Sequence, residues 1–266
     1  MARVIAIFSS KGGVGKTTIT VNLGAVLASK LNKRVTLLDC NLTSSHLGLY
    51  LGVYYTPITI NKVLRGEYSP EEALYKHFSG MNIIPASISM AELSGIDMIN
   101  FKDIVDKLEP FNDFLLLDSA PGLGREAISA LKSSKEVLLV STPLVSTILD
   151  VVRAQEVLRE IGVKPIGIVL NMVTGASYEM RKEEIEQLTG LPVLVSIPYD
   201  KNVYRSTALK QPVYLLNPNS SASKEILRLA SILTGENIEI RKSFFERLGE
   251  KFKVITSHLI WFLNFF

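Results

Sequence analysis

The sequence predicts an α/β protein with a doubly wound, mostly parallel sheet and helices on both faces. Two observations support this fold class. Short β-branched runs alternate with segments of helical period, and most of the runs are apolar throughout, as expected for parallel strands covered on both faces. A glycine-rich turn also separates the first run from the first helical segment, which is typical of a ligand-binding connection at the carboxyl end of a strand.

The alternating elements fill the chain up to residue 236, where a linker at 234–237 is followed by a different kind of segment. We therefore expect one α/β domain at 1–236 and a separate linker and helix at 237–266. Strands are predicted at 4–8, 34–38, 82–84, 113–117, 136–141, 165–170 and 193–197. Helices are predicted near 16–31, 101–109, 124–133, 146–161, 178–189, 201–209 and 221–234.

Composition and charge narrow the class of protein. Apolar residues make up 47% and charged residues 21%, which indicates a globular protein rather than a disordered one. The single cysteine excludes an internal disulfide and favours a reducing compartment. No signal peptide and no apolar run of about 20 residues are seen, so we expect a cytoplasmic protein.

The net charge of +3 is located in the tail. Residues 241–266 hold five basic and two acidic side chains, which accounts for the whole excess and leaves the body neutral. A neutral body disfavours a broad nucleic-acid-binding face.

A phosphate-binding loop is predicted where residues 9–18 read SSKGGVGKTT. The glycines allow successive backbone N–H groups to point at phosphate oxygens, and the start of the following helix adds partial positive charge. Lys16 can reach the β- and γ-phosphates, and the Thr17 hydroxyl suits a Mg²⁺ ligand. The predicted nucleotide contacts of the loop are Gly12, Gly13, Val14, Gly15, Lys16, Thr17 and Thr18.

One detail separates this loop from the plain G-x-x-x-x-G-K-[ST] pattern: Ser10 replaces the first glycine and Lys11 precedes the glycine pair. The variant KGGVGKTT resembles the deviant Walker A loop of the MinD/ParA family of ATPases, and the resemblance covers about residues 2–234. In that family the lysine equivalent to Lys11 touches the nucleotide of the other subunit. The resemblance therefore implies an ATP-dependent homodimer in which Lys11 acts on the transferred phosphoryl group, much as an arginine finger does.

Two predicted strands end in carboxylates that suit a magnesium–nucleotide site. The run FLLLD closes on Asp118 and continues as SAPGL, which resembles the family's Walker B and second switch and implies that Asp118 holds Mg²⁺ through water. The run VTLLDCN carries Asp39 and Asn41 where relatives usually have Asp-x-Asp, whose second aspartate orients the attacking water. Asn41 has no charge and cannot act as a base, so we predict slow or partner-dependent hydrolysis, with Asp39 near the magnesium shell.

The base-binding residues are predicted after the next strands. The resemblance implies that Asn171 pairs with the adenine edge and that Pro198, Tyr199 and Asp200 form a second adenine-contacting loop. The run NMVT is not the Asn-Lys-x-Asp pattern usual for guanine, so ATP is favoured over GTP. Alternatively, Asn171 serves only as a strand-end cap and the later loop only as a turn.

The tail carries a second signal. Large apolar residues recur at spacings of three and four, lysines flank this stripe, and aromatic residues crowd the end, which is the composition of an in-plane membrane anchor for anionic lipids. The predicted membrane-facing residues are Phe245, Leu248, Lys251, Phe252, Ile255, Leu259, Trp261, Phe262 and Phe266. A helix packed on its own domain, on a partner helix or in a coiled coil would show the same spacing.

Several functions fit these features. The leading hypothesis is a MinD-like switch ATPase, peripheral on the inner face of the cell membrane, that positions cell-division or other cell-surface machinery with an unidentified protein activator or cargo. A ParA-like ATPase for DNA partitioning would need a basic stripe on the body, which the neutral charge disfavours. MinD-like placement of flagella or receptor arrays uses the same chemistry. A nitrogenase-like reductase would need cluster-ligating cysteines, which a single Cys40 does not match.

Overall fold

The structure, a computed structural model, describes residues 1–96 and 99–238, so the predicted membrane helix lies outside the described residues. The strands are β1 Arg3–Phe8, β2 Val35–Cys40, β3 Tyr75–Lys76, β4 Asn82–Ile84, β5 Phe114–Ser119, β6 Glu136–Ser141, β7 Lys164–Val173 and β8 Val193–Pro198. The helices are α1 Lys16–Ser29, α2 Leu47–Leu51, α3 Ile60–Leu64, α4 Phe101–Leu108, α5 Arg125–Ser133, α6 Val145–Glu160, α7 Lys182–Thr189, α8 Lys201–Ala208, α9 Val213–Leu216 and α10 Ser221–Thr234.

Within the described residues the strands form one eight-stranded sheet in the order β3-β4-β2-β5-β1-β6-β7-β8. Every neighbouring pair is parallel except β3 and β4. β1 lies between β5 and β6, so the chain winds outward from the middle of the sheet in both directions. This topology places the ligand-binding crevice at the carboxyl ends of the central strands.

Both faces of the central strands are buried under helices. On one face, Val4, Ala6 and Phe8 of β1 belong to a core cluster that includes Ala130 of α5 and Ile148 of α6. The intervening residues of β1 are also fully buried and point to the opposite face, where α1 and α10 pack. Burial on both faces explains why these strands are apolar without alternation, and it confirms the predicted fold class.

Strand ends differ from the prediction. β2 and β5 continue through their aspartates to Cys40 and Ser119, because the two strands stay paired in register as far as Cys40 opposite Ser119. β7 likewise continues past Leu170, so that Asn171 lies inside the strand rather than after it. The sequence pattern ended these strands too early because it treated a polar residue as the stop.

The helix predicted at 178–189 was expected to start too early in the chain. α7 begins at Lys182, and the Glu184 carboxylate accepts a hydrogen bond from the backbone N–H of Arg181 at 2.8 Å, which caps the helix there. Upstream, the Glu179 carboxylate accepts from the backbone N–H groups of Thr174 and Gly175, which holds this stretch in a turn. Four short elements, β3, α2, α3 and α9, were not predicted.

Candidate functional site

The phosphate loop connects β1 to α1. Gly15 caps α1 with a φ of 99°, in the left-handed region that favours glycine. A Cβ atom at Gly15 would also lie 2.2 Å from Nδ2 of Asn171. Glycine is therefore required at this position by the backbone conformation and by the close approach of β7.

Two lysines of the loop lie in different environments. Lys16 is 8% exposed, and burial lowers its pKa while the nearby Asp118 opposes that shift. Lys11 is exposed, and its ammonium group makes no hydrogen bond or ion pair with another described residue. Its backbone is fixed, because the Ser9 hydroxyl donates to the Lys11 carbonyl at 2.6 Å and accepts from the Lys11 N–H at 3.1 Å.

Asp118 lies directly behind the loop at the end of β5. Its carboxylate accepts hydrogen bonds from the Thr17 hydroxyl at 2.7 Å and the Thr20 hydroxyl at 3.0 Å, both on α1. Burial raises the pKa of Asp118, and these hydroxyls and Lys16 act against that shift. The predicted pair of Thr17 and Asp118 is therefore brought together.

Asp39 is the register partner of Asp118 on the neighbouring strand. It is fully buried, and burial together with the charge of Asp118 raises its pKa to about 7. One carboxylate oxygen accepts from the Asn41 N–H at 3.1 Å, and the other accepts from the Ser45 hydroxyl at 2.8 Å and the Leu47 N–H at 3.3 Å. Asp39 thus organises the loop between β2 and α2.

The same loop is held from a second side by Glu126, a residue of α5 that the sequence analysis did not identify. Its carboxylate accepts from the Leu42 N–H at 3.0 Å and from the hydroxyl of Thr43. This contact joins the loop after β2 to the helix that follows the Pro121–Gly122 turn after β5. The segments that carry Asn41 and Asp118 are therefore physically connected.

A cleft of about 720 Å³ opens in front of the phosphate loop. Predicted residues that line it are Gly12, Gly13, Gly15, Lys16, Thr17, Thr18, Asn41, Asn171, Pro198, Tyr199 and Asp200. Of the other predicted site residues, Val14, Asp39 and Asp118 are buried behind the cleft surface and Lys11 is exposed outside it. The cleft also contains residues that the sequence analysis missed, among them His46, Tyr50, Met172 and Tyr204.

Apolar and aromatic side chains line one part of the cleft. Tyr199 and Tyr204 lie there with ring centroids 5.6 Å apart, and Pro198 and Met172 complete the wall. The amide of Asn171 donates to the Val14 carbonyl at 2.8 Å, which links β7 to the phosphate loop. Such a surface suits a nucleotide base, whereas the glycines suit phosphates.

Asp200 has a structural role in addition to its place on the cleft. One carboxylate oxygen caps α8 by accepting from the Asn202 N–H at 2.9 Å, and the other accepts from the Ala222 N–H at 3.1 Å at the start of α10. These bonds lower its pKa, although partial burial acts in the opposite direction. Asp200 therefore anchors the loop that the resemblance assigned to adenine contact.

The residues present fit Mg²⁺ bound together with a nucleotide. No group of three or more His, Cys, Asp or Glu within residues 1–96 and 99–238 is arranged to hold a metal by itself. Mg²⁺ in nucleotide sites, however, uses one or two protein oxygens, waters and phosphate oxygens. The Thr17 hydroxyl and the Asp118 carboxylate, hydrogen-bonded to each other beside the phosphate loop, provide such oxygens.

Comparison with known proteins gives consistent matches. Residues 1–234 match the family described as ParA, NUBPL iron-transfer P-loop NTPase. The septum site-determining protein MinD of Thermotoga maritima is 33% identical over 256 residues, covering 92% of each chain.

Two solved structures have the same fold. The cell division ATPase MinD of Pyrococcus furiosus superposes with a TM-score of 0.85 at 32% identity, covering 89% of this chain and 100% of that one. MinD of Pyrococcus horikoshii, solved with Mg-ADP, gives 0.84 at 31% identity, covering 88% and 96%.

Proposed function

Because the chain belongs to the ParA family of P-loop NTPases, with MinD proteins among its relatives, we propose that it is a switch ATPase whose ATP-bound homodimer binds the membrane surface. In this proposal the dimer positions cell-division or other cell-surface machinery, and a partner protein stimulates hydrolysis. The enzymatic class itself is that of its relatives: the protein is an ATPase that uses ATP and Mg²⁺.

The observation that carries the dimer proposal is the separation of the two loop lysines. Lys16 lines the cleft of its own chain, whereas Lys11, five residues earlier in a rigid loop, is exposed outside that cleft and unpaired among the described residues. A cation held at the rim of a phosphate site is available to a nucleotide in a second subunit. This placement supports a dimer in which each subunit completes the site of the other.

The surface next to the phosphate loop also suits a protein contact. Leu123 follows the Pro121–Gly122 turn and is 40% exposed, and Val145 on α6 is 54% exposed. The Ser10 hydroxyl donates to the Asp150 carbonyl at 3.2 Å, which joins α6 to the phosphate loop. Exposed apolar side chains at such a place favour association of subunits across the nucleotide.

Membrane binding is proposed from the sequence of the tail. Among the described residues no helix has the length and apolar character needed to cross a bilayer. A single in-plane helix binds weakly and reversibly. A dimer presents two tails, and the second attachment then becomes intramolecular, which raises avidity without new contacts. ATP-dependent dimerisation would thus control attachment.

The chain's own residues have defined tasks in the hydrolytic cycle. The backbone of Gly12 and Gly13 and the Lys16 ammonium hold the phosphates, while Asn171 keeps β7 against the loop. Thr17 and Asp118 supply oxygens for Mg²⁺, which neutralises charge on the phosphates. In this proposal the Glu126 contact couples the helix after the Pro121–Gly122 turn to the loop after β2.

Liposome sedimentation tests the membrane switch. We expect the full chain to pellet with vesicles containing anionic lipid in the presence of Mg-ATP and to remain in the supernatant with Mg-ADP. Phe252→Glu, which places a charge in the predicted apolar stripe, should abolish pelleting without changing ATP affinity. Gel filtration with light scattering on the same samples should show the dimer with Mg-ATP for both proteins.

The alternative functions predict different results in the sedimentation experiment and in a DNA-binding assay run with the same two proteins. Pelleting that is equal with ATP and ADP would contradict a nucleotide switch. Nucleotide-dependent binding to DNA that Phe252→Glu leaves intact would instead support a partitioning ATPase. A dimer that forms with ATP but never binds vesicles would support the proposed dimerisation and contradict the proposed membrane binding.

A further inference from the structure

Asn41 and His46 are two polar residues of the segment between β2 and α2 that line the cleft. Both line the cleft together with Gly12, Gly13 and Lys16. The family places a carboxylate at the position of Asn41 to orient the attacking water, and this chain does not have one. Some other group near the γ-phosphate must therefore orient the water if hydrolysis is to occur at a useful rate.

The amide of Asn41 is already engaged within its own loop. Its Nδ2 donates to the Ser44 carbonyl at 2.7 Å, and its Oδ1 accepts from the Ser44 N–H at 3.3 Å. Both polar atoms of Asn41 thus close a local turn. These bonds fix the orientation of the amide and leave it one N–H and one lone pair, with no charge, for a water molecule in the cleft.

His46 is in the opposite situation. Its imidazole is exposed to the cleft and makes no hydrogen bond with another described residue. It lies within electrostatic range of Asp118, where a positive charge on its ring acts against the burial that raises the pKa of that carboxyl. A free imidazole offers one donor and one acceptor in its neutral form, which is what the orientation of a water molecule requires.

The backbone on each side of His46 is fixed by the same group. The Ser45 hydroxyl and the Leu47 N–H both donate to one carboxylate oxygen of Asp39, at 2.8 and 3.3 Å. Glu126 holds the preceding part of the loop through Leu42. These bonds fix the backbone from which the His46 side chain enters the cleft.

We propose that His46 orients the water that attacks the γ-phosphate, the task that the uncharged and locally bonded Asn41 leaves open. The water oxygen bonds to the γ-phosphorus, and the bond from that phosphorus to the bridging oxygen breaks with its electron pair left on ADP. One water proton stays on the released phosphate and the other passes to solvent. His46 acts by hydrogen bonding to the water. This role affects the hydrolysis step alone and does not depend on membrane binding.

Five variants test this role: His46→Ala, His46→Gln, which keeps a donor and an acceptor, Leu49→Ala, Asn41→Asp, and Asn41→Asp combined with His46→Ala. Leu49 is the matched control, because it is 40% exposed on α2, the helix that His46 precedes, and does not line the cleft. Each protein is measured for single-turnover hydrolysis, for affinity of a fluorescent ATP analogue, and for affinity of Mg-ADP with aluminium fluoride, which mimics the transition state. Thermal unfolding confirms that each variant is folded.

We expect His46→Ala to slow hydrolysis about 10- to 100-fold while changing the affinity for the ATP analogue by less than about twofold. Affinity for the aluminium fluoride complex should fall in parallel with the rate, since an orienting contact acts in the transition state. His46→Gln should recover part of both losses and Leu49→Ala should resemble the parent. In the Asn41→Asp background His46→Ala should slow hydrolysis by a smaller factor, because the new carboxylate also orients the attacking water.

Three results would overturn the proposal: parental hydrolysis by His46→Ala, equal losses of affinity for the ATP analogue and the transition-state mimic, or an unchanged loss in the Asn41→Asp background. The proposal rests on the assignment of the cleft as the nucleotide site. Failure of the parent protein to bind the ATP analogue would refute that assignment, and is distinguishable from a failure confined to His46.

Discussion

The pair of buried carboxylates at the ends of β2 and β5 is the main electrostatic feature of the site. Asp39 and Asp118 face each other in register, and both have raised pKa values, with burial as the largest cause. Asp118 has hydroxyl partners on α1, whereas Asp39 holds the following loop. Two such groups side by side favour a bound cation, because a cation offsets the repulsion that burial strengthens.

This arrangement makes the stability of the metal-free protein depend on pH. An unfolded aspartate loses its proton near pH ~3.9, whereas Asp39 in the folded protein does so at about 7. Between these values the folded state retains a proton that the unfolded state has lost. The free energy of unfolding therefore falls as pH rises from about 4 to about 7, by at most about 1.4 kcal/mol per pH unit for one group.

Urea unfolding in EDTA between pH 4.5 and 7 measures this slope. Asp39→Asn should flatten it. Asp113→Asn is the control, because the Arg34 side chain lowers the pKa of Asp113 and so moves its titration out of this range. Identical slopes for Asp39→Asn and the parent would contradict the assignment of the shift to Asp39.

At the scale of elements, β7 restricts what the phosphate loop can contain. Gly15 combines a φ of 99° with a hypothetical Cβ 2.2 Å from the Asn171 amide. We expect Gly15→Ala to destabilise the protein by about 1–3 kcal/mol and to prevent ATP binding. Gly124→Ala should cost less than about 1 kcal/mol, because Gly124 has a φ of −68° and open space around its Cα, so that only the weaker capping preference of alanine is felt.

A double-mutant cycle separates the two causes. Asn171→Ala removes the close contact but not the backbone strain at Gly15, so the cost of Gly15→Ala should be smaller in that background. Strict additivity of the two free energies of unfolding would show that strain alone accounts for the effect. The measurement is urea unfolding of the four proteins at one pH.

The contact between α5 and the loop after β2 is the second link between elements. Glu126 accepts from the Leu42 N–H and the Thr43 hydroxyl. Glu126→Ala should lower the free energy of unfolding by about 1–3 kcal/mol and increase amide exchange of residues 41–46. Glu156→Ala, at an exposed position on α6, should change stability by less than about 0.5 kcal/mol. Unchanged exchange at 41–46 would show that Glu126 does not hold the loop.

At the scale of the whole molecule, the long apolar strands and the phosphate loop could be predicted because local pattern and tertiary burial agree there. The five-residue helix α2 could not, since it is too short for a helical period to show. A signal was present in the run LGLYL before Gly52, which ends the helix with a φ of 73°. Missing α2 meant missing His46 and Tyr50, whose places on the cleft depend on how this helix docks.

The contacts of Asp39 and Glu126 could not be predicted for a related reason. Each joins residues by side-chain hydrogen bonds to backbone N–H groups, and such bonds leave no periodic pattern in the sequence. The charged residues can be read from the sequence, but the loop that each carboxylate binds depends on the tertiary fold.

The proposed exchange of Lys11 between subunits has a consequence that no single-chain site would show. Lys11→Ala should still bind ATP, because Lys11 does not line the cleft, but should not hydrolyse it. Lys16→Ala should not bind ATP, yet it retains a Lys11 to donate. In a mixed dimer that forms around a single ATP, the Lys11→Ala subunit holds that ATP and the Lys16→Ala subunit supplies the missing lysine. Mixing equal amounts should therefore restore up to about one quarter of the parental rate, since half of random dimers are mixed and each contains one complete site.

The control for this exchange is a mixture of Lys11→Ala with the double variant Lys11→Ala/Lys16→Ala, which has no lysine to donate and should stay inactive. Activity is followed as phosphate release, and an affinity tag on one of the two variants shows by co-purification that mixed dimers form. If Lys11 served its own nucleotide, neither mixture would recover activity even though dimers were present. Recovery confined to the first mixture would instead require that the active unit is two chains, each completing the phosphate site of the other.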